Sequence, residues 1–403
     1  MKRAGFFRAS VLALALALTS CAAIVGKSDL APAEFTAHAS LGARGLVERA
    51  LEGLEGEGAE IVDMHAHVAG TSRDASGCEV SADMRSWRHP WRRIQFFVYL
   101  LASGVEDVDH GAEQMVTRLA EVARGKTCIL ALDHRYRADG SADRAGTSLY
   151  VPNDHVLKLC EEHPDQFVPG VSVHPGRKDA LEELDRCAAR GARIVKWLPN
   201  AMNIDPASPA CDAFYARLRE HGMTLLSHTG EEEALAADSE ELGNPLRLRR
   251  ALDHGVKVIV AHCASLGEAE DLDDPRRPKV PAFELFLRMM SEERYRGLLF
   301  GDLSAVAFRN RDASVLRTLL ERTDLHERLV DGTDWPLPAI RMLTSTVKLE
   351  RAGLLTTGER QALDEIFRYD PRLFDLVLKR TVRGRRGERF PASVFLRRRE
   401  ILP

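Results

Sequence analysis

Ile61-Val62-Asp63-Met64-His65-Ala66-His67 is an apolar run that ends in two histidines one residue apart. On a β-strand, alternate side chains leave the same face. His65 and His67 are therefore expected to point together, with Asp63 beneath them on that face. Two imidazoles fixed side by side make half of a transition-metal site, because imidazole suits Zn, Fe, Ni and similar ions. The weight of this reading depends on partners at the ends of other apolar runs.

Outward from that stretch the chain alternates between short β-branched runs and longer amphipathic stretches, the pattern of βα units around a parallel sheet. Eight strands are predicted: Glu60–His65, Thr127–Leu132, Val168–Val173, Arg193–Leu198, Met223–Ser227, Val256–Ala261, Gly297–Leu303 and Arg328–Gly332. Helical patterns such as Asp179–Ala189 and Ala313–Glu321 lie between them. Eight strands with crossovers in about 270 residues is the size of an α/β (β/α)8 TIM barrel. A doubly wound open sheet is the competing fold, disfavoured because no glycine-rich phosphate loop follows the first strand.

In such a barrel, chemistry collects at the C-terminal ends of the strands. There the first strand offers His65 and His67, the fourth Lys196, the fifth His228, the sixth His262 and the eighth Asp334, with Asp331 three residues earlier. Any one of these has an ordinary reading as a satisfied core histidine or a capped carboxylate. Together they read as a ring in which His65, His67, His228 and Asp334 give nitrogen and oxygen ligands to a divalent ion, with a position left open.

These residues resemble those of the amidohydrolase superfamily. The phrases Gly191-Ala-Arg-Ile-Val-Lys-Trp-Leu-Pro199, Ala261-His-Cys263 and Asp331-Gly-Thr-Asp-Trp-Pro336 look most like its amidohydrolase-related branch, which also contains decarboxylases. The resemblance runs from about Glu60 to Pro336. It implies a distorted barrel holding a divalent metal, commonly zinc, as one ion. His65, His67 and His228 are then ligands, and Asp334 is a ligand that also handles a proton. His262 activates water or polarises the substrate, or binds a second ion. Lys196 separates these arrangements without deciding between them. As a carbamate it bridges two ions; as a plain lysine, which alternation allows to enter the barrel, it pairs with Asp334 or a substrate carboxylate.

The ends of the chain lie outside this pattern. Residues 1–8 are positive and Val11 to Leu18 form an Ala/Leu run too short to span a bilayer as a mature helix. Leu18-Thr19-Ser20-Cys21 resembles the lipobox of bacterial lipoproteins, which implies lipidation of Cys21 and export. Ala22, in place of an Asp, points to the outer membrane facing the periplasm. An ordinary secretory signal cleaved near Ala22 or Ala23 is the alternative. The expected organisation is a signal over 1–21, a flexible leader over 22–42, the barrel over 43–350, and a C-terminal helical extension with a basic tail over 351–403. Residues 69–104 form an aromatic-rich insert after the first strand, expected to pack on the barrel as an extended first helix. A lid or a membrane-facing surface is the sharper alternative.

The small net charge of −4 argues against a nucleic-acid binder, which would show a clustered basic surface. Cys21 belongs to the signal; the other six cysteines show no CxxC and no disulfide framework, although export leaves one or two bridges open. Three functions are compatible with these features. The first is metal-assisted hydrolysis of an amide, lactone or small ester, with Asp334 moving the proton and His262 polarising the carbonyl. The second is decarboxylation, for which Arg135 and Lys196 are candidate carboxylate anchors. The third is a lipoprotein that only binds a ligand, against which the complete ligand set argues. His174, beside Pro175 after the third strand, is a candidate for lining the pocket. The expected partners are a small-molecule substrate, the membrane through the anchor, and a second copy in a homodimer.

Overall fold

The computed structural model describes residues 31–403 apart from 57 and 123. The expected signal, Cys21 and the leader up to residue 30 lie outside the described residues. Eight parallel strands form one sheet in sequential order. They are β1 (Val62–His67), β2 (Lys126–Leu130), β3 (Phe167–Val171), β4 (Ile194–Trp197), β5 (Thr224–Ser227), β6 (Lys257–Val260), β7 (Leu299–Asp302) and β8 (Leu329–Val330). The amide of Met64 donates to the carbonyl of Asp331 at 2.9 Å, which joins the last strand to the first and closes the ring. The fold is thus the expected (β/α)8 barrel. Its strands are buried on both faces, which is why they read as apolar runs and not as alternating ones.

One register irregularity changes the reading of the opening stretch. Asp63 pairs with Thr127 and Ala66 with Ile129, so Met64 and His65 together oppose Cys128. This is a β-bulge, and a bulge reverses the face of what precedes it. Met64 turns into the barrel interior with Val62. Asp63, expected beneath the histidines, points outward instead, where its Oδ2 meets the Arg372 guanidinium at 2.9 Å.

Arg372 lies on α2 (Pro371–Thr381), which follows α1 (Thr357–Tyr369). Both helices are fixed at their starts by side chains that satisfy free backbone amides. Thr356 and Glu359 form a reciprocal capping box on α1, and Asp370 accepts from the amides of Arg372 and Leu373 on α2. The extension is therefore a structural part of the barrel wall. The segment beyond it, expected as a basic tail, returns to the barrel: Leu396 bridges to Ile61, and the amide of Val62 donates to Phe395. Ile401 and Leu402 then close the barrel floor against the inward residues of the strands. Ile401 is fully buried, so Ile401→Ala is expected to cost about 2–5 kcal/mol of unfolding free energy, read by denaturant titration. A midpoint equal to the parent's would show that the floor is not sealed this way.

The leader also differs from expectation at its end. Helical turns begin at Pro32, and Phe35 and Ala39 are buried. In the insert, Trp91, Phe96 and Tyr99 are half-buried on a helix over Pro90–Ala102, whereas Trp87 is 72% exposed and Phe97 48%. Cys78, Cys128, Cys160, Cys187, Cys211 and Cys263 are all free and buried, so the one or two bridges left open by the sequence do not form among the described residues. No described helix is long and apolar enough to cross a membrane.

Candidate metal centre

The strand ends bring His65, His67, Lys196, His262 and Asp334 together at the mouth of the barrel. Donor atoms of His65, His67 and Asp334 lie within 4.8 Å of one another. Asp334 Oδ1 is 3.1 Å from His67 Nε2 and 3.6 Å from His65 Nε2, and its Oδ2 is 4.0 Å from His262 Nε2. His228 sits one step further round. Its ring centroid is 5.2 Å from that of His262, and its Nε2 has no hydrogen-bond partner among the described residues.

A residue that the strand-end reading passed over organises this cluster. Asp302, the last residue of β7, is fully buried and accepts a hydrogen bond from His65 Nδ1 at Oδ2, 2.9 Å. Its Oδ1 accepts from the amides of His262 and Ser304, at 2.9 and 3.0 Å, and from the Ser304 hydroxyl. With the Ser304 proton directed at Asp302, Ser304 Oγ receives His262 Nδ1–H at 2.7 Å, and the Ser304 carbonyl lies 3.3 Å from the same nitrogen. Both histidines are thereby assigned the Nδ1–H tautomer, which leaves their Nε2 lone pairs facing the cavity. A carboxylate behind an imidazole is the arrangement that orients metal-binding histidines. Asp302 faces the outer nitrogen of His65, so it orients this residue instead of sharing an ion with it.

The backbone is bent to allow this. His262, Cys263 and Ala264 all have positive φ, at 56°, 50° and 51°, and Asp334 has φ 60°. Left-handed non-glycine backbone persists only where surrounding contacts impose it. Here the bond from the His262 amide to Asp302 is one such contact, and the bond from the Asp334 amide to the His65 carbonyl, 2.7 Å, is another.

Lys196 is 1% exposed, and its Nζ donates to His65 Nε2 at 3.0 Å. That bond takes the place of the ion pair with Asp334 that the sequence left open. Burial lowers the Lys196 ammonium below its ordinary pKa, against the pull of Asp334, Asp302 and Glu232. Burial also pushes His228 down to about 3, helped by the Lys196 charge, and holds His262 well below its usual value. Asp334 is held ionised well below the usual carboxylate range. Burial opposes that, but the facing His262, His67 and His65 outweigh it. Imidazoles of lowered basicity beside an ionised carboxylate are a donor set that a divalent cation can take.

Two candidates from the sequence do not reach the cluster. Arg135 is committed to an ion pair with Asp238. His174 uses both ring nitrogens locally, Nδ1 accepting from the Gly176 amide at 2.9 Å and Nε2 donating to the Met202 carbonyl at 3.1 Å. Arg311, which the sequence reading missed, is only 9% exposed and lies in the electrostatic field of Asp334, Glu233 and Glu232. Its Nη1 donates to Asn310 Oδ1 at 2.7 Å and its Nε to Ser265 Oγ at 3.4 Å. Among the described residues no carboxylate comes within ion-pair distance of it. The insert and the loop after β7 both reach the loop after β5, where Gln95 Nε2 donates to the Glu233 carbonyl and Asn310 Nδ2 to Glu233 Oε2.

A family model described as amidohydrolase matches residues 62–368. No curated protein matches the chain. Solved structures similar to it include an uncharacterised TIM-barrel protein from Bordetella bronchiseptica, at 16% identity over 79% of this chain and 99% of that one, with a TM-score of 0.46. Another is a probable 2-pyrone-4,6-dicarboxylic acid hydrolase from Acinetobacter baumannii, at 13% identity over 79% and 99%, TM-score 0.40. A third is a dihydroxybenzoic acid decarboxylase from Polaromonas with bound manganese, at 13% identity over 79% and 97%, TM-score 0.43.

Proposed function

The chain belongs to the amidohydrolase family, and from that premise we propose that it is a metal-dependent hydrolase adding water across a C–N or C–O bond of a small carbonyl substrate, an amide, lactone or ester. The observation that carries this reading is the convergence of His65 Nε2, His67 Nε2 and an ionised Asp334, with His65 oriented from behind by Asp302. His65, His67, His228 and Asp334 would hold the ion, and the unpartnered Nε2 of His228 fits that role. Bound there, a divalent ion supplies Lewis acidity, polarising a carbonyl and acidifying water.

The remaining work belongs to the side chains. Asp334 accepts the proton of the attacking water and returns it to the leaving nitrogen or oxygen. His262 was expected to polarise the carbonyl, but its tautomer does not support that role. With Nδ1–H given to Ser304, its Nε2 is an acceptor, suited to orienting the water beside Asp334. Arg311 supports a substrate that carries a carboxylate, since a buried guanidinium with no anionic partner among the described residues offers the bidentate geometry that carboxylates match.

The same cation favours a second reading within this family, metal-dependent decarboxylation, in which Arg311 would anchor the carboxylated ring or chain. Lipid attachment at Cys21 and a periplasm-facing location are part of the proposal and are tested by labelled-lipid incorporation and its loss in Cys21→Ser. For the reaction itself, elemental analysis should find a divalent metal in the purified protein. A screen over esters, lactones and N-acyl compounds should find an activity that a chelator removes and the metal restores. Arg311→Met should raise KM for a carboxylate-bearing substrate by about tenfold or more, the loss of a charge-assisted contact. Activity indifferent to chelation would overturn the metal reading, and release of CO2 or bicarbonate without addition of water would select decarboxylation over hydrolysis.

A further inference from the structure

Glu232 is a carboxylate that the proposed chemistry leaves unused. It stands in the loop after β5, four residues beyond His228, and its side chain is 6% exposed. One oxygen is fixed by the loop, since Oε1 accepts from the amides of Ala234 and Leu235 at 2.6 and 2.9 Å. The other, Oε2, lies 3.4 Å from His228 Nε2, the buried imidazole nitrogen that has no hydrogen-bond partner. The loop is itself anchored. The Glu232 amide donates to Glu240 Oε2 at 2.9 Å, and Glu233 is gripped by Gln95 and Asn310.

A buried carboxylate is expensive unless a cation or several donors face it. The two nearby cations are directed elsewhere, Lys196 to His65 Nε2 and Arg311 to Asn310 and Ser265. The Glu232 carboxyl oxygen and the His228 nitrogen thus face each other at 3.4 Å without forming a hydrogen bond. Histidine nitrogen and carboxylate oxygen four residues apart on one loop are a pair of donors that a divalent ion between them would satisfy.

We propose that Glu232 is a metal ligand, joining His228 in holding the divalent ion; this rests on the metal-dependent reading above. The donor set then contains two carboxylates, Asp334 and Glu232, beside the imidazoles. That composition is richer in oxygen than the four-ligand set read from the strand ends, and it exceeds the four donors of a tetrahedral zinc site. It favours ions that accept five or six nitrogen and oxygen donors.

The test uses the full chain, stripped with a chelator and reloaded with Co2+, comparing the parent with Glu232→Gln and Glu232→His. In Glu232→Gln, Co2+ affinity should fall at least about tenfold, and the visible d–d band should gain intensity as one donor is lost. Glu232→His restores a nitrogen donor without the charge and should recover part of the affinity. Equal affinity and spectrum in Glu232→Gln would overturn the proposal. So would a weaker affinity with an unchanged spectrum, because the carboxylate would then act by charge alone. Thermal melts of the metal-free variants identify any loss of fold; if Glu232→Gln does not fold, Glu232→His decides through the same two readings. A parent that takes up no Co2+ would remove the metal premise itself, an outcome distinct from a parent that binds while its variants bind equally well.

Discussion

Asp334→Asn should lower turnover by about 10²–10⁴-fold at saturating metal, the range that a positioned acid–base group contributes. The substitution keeps size and shape. It also keeps the backbone, because asparagine tolerates the positive φ of 60° found at this position. What it removes is the basic oxygen. In the parent, Asp334 Oδ1 faces the Nε2 atoms of His67 and His65, and Oδ2 faces His262 Nε2. An amide in its place takes no proton from water, and its NH2 turns two donors toward imidazole nitrogens or an incoming cation. Metal affinity should weaken as well, so the rate has to be measured along a metal titration up to saturation. A variant that keeps most of its turnover at saturation would show that proton transfer resides elsewhere, with His262 Nε2 the next group to remove.

Much of this arrangement was legible in the sequence, for a physical reason. A buried parallel strand has to be largely apolar, so the last polar side chain of each apolar run marks its C-terminal end. That rule placed His65, His67, Lys196, His228, His262 and Asp334 at the mouth of the barrel before any coordinates were considered. The same rule, applied to Leu299–Asp302, would have found Asp302. What no period reveals is a change of period. The bulge at Met64 and His65 reversed the facing of Asp63, and only the pairing of Asp63 with Thr127 and of Ala66 with Ile129 exposes it. Glu232 and Arg311 were invisible for another reason. They lie in loops, where charged residues are ordinarily solvated, and their burial is a property of the tertiary fold. Arg135 shows the converse, a plausible anchor by position that a distant residue, Asp238, had already engaged. Tautomers were equally out of reach, since His262 is set by Ser304, a residue on a different strand end.

Lys379→Met should destabilise the fold by about 3–5 kcal/mol, the cost of removing one partner from a buried ion pair. Lys379 is 1% exposed on α2. Its ammonium donates to Asp331 Oδ1 at 2.9 Å, to the Gly332 carbonyl at 2.7 Å and to Asp375 Oδ2 at 2.5 Å. About two helical turns toward the start of the helix, Arg372 holds Asp63, whose Oδ1 accepts from the amides of His65 and Thr333. The helix thus grips both edges of the closure from behind, at residues flanking His65 and Asp334. Methionine fills the volume but leaves Asp331 and Asp375 facing each other in the interior with no cation. Burial already raises the Asp375 carboxyl to about 7, with Lys379 pulling it down and Asp331 pushing it up. The folded chain therefore holds a proton that the unfolded chain releases near pH 4, the ordinary aspartate value. Stability from this group is fully present below that pH and is lost as the pH rises through about 7. Asp375→Asn should flatten the fall between pH 4 and 7, and Lys379→Met/Asp375→Asn should recover part of the loss in Lys379→Met. Denaturant titrations at pH 5 and pH 8 measure all three effects. If Lys379→Met unfolds at the parent's midpoint at both pH values, the ion cluster does not hold the eighth strand in place, and the alignment of Asp334 has to come from the β1 contacts alone.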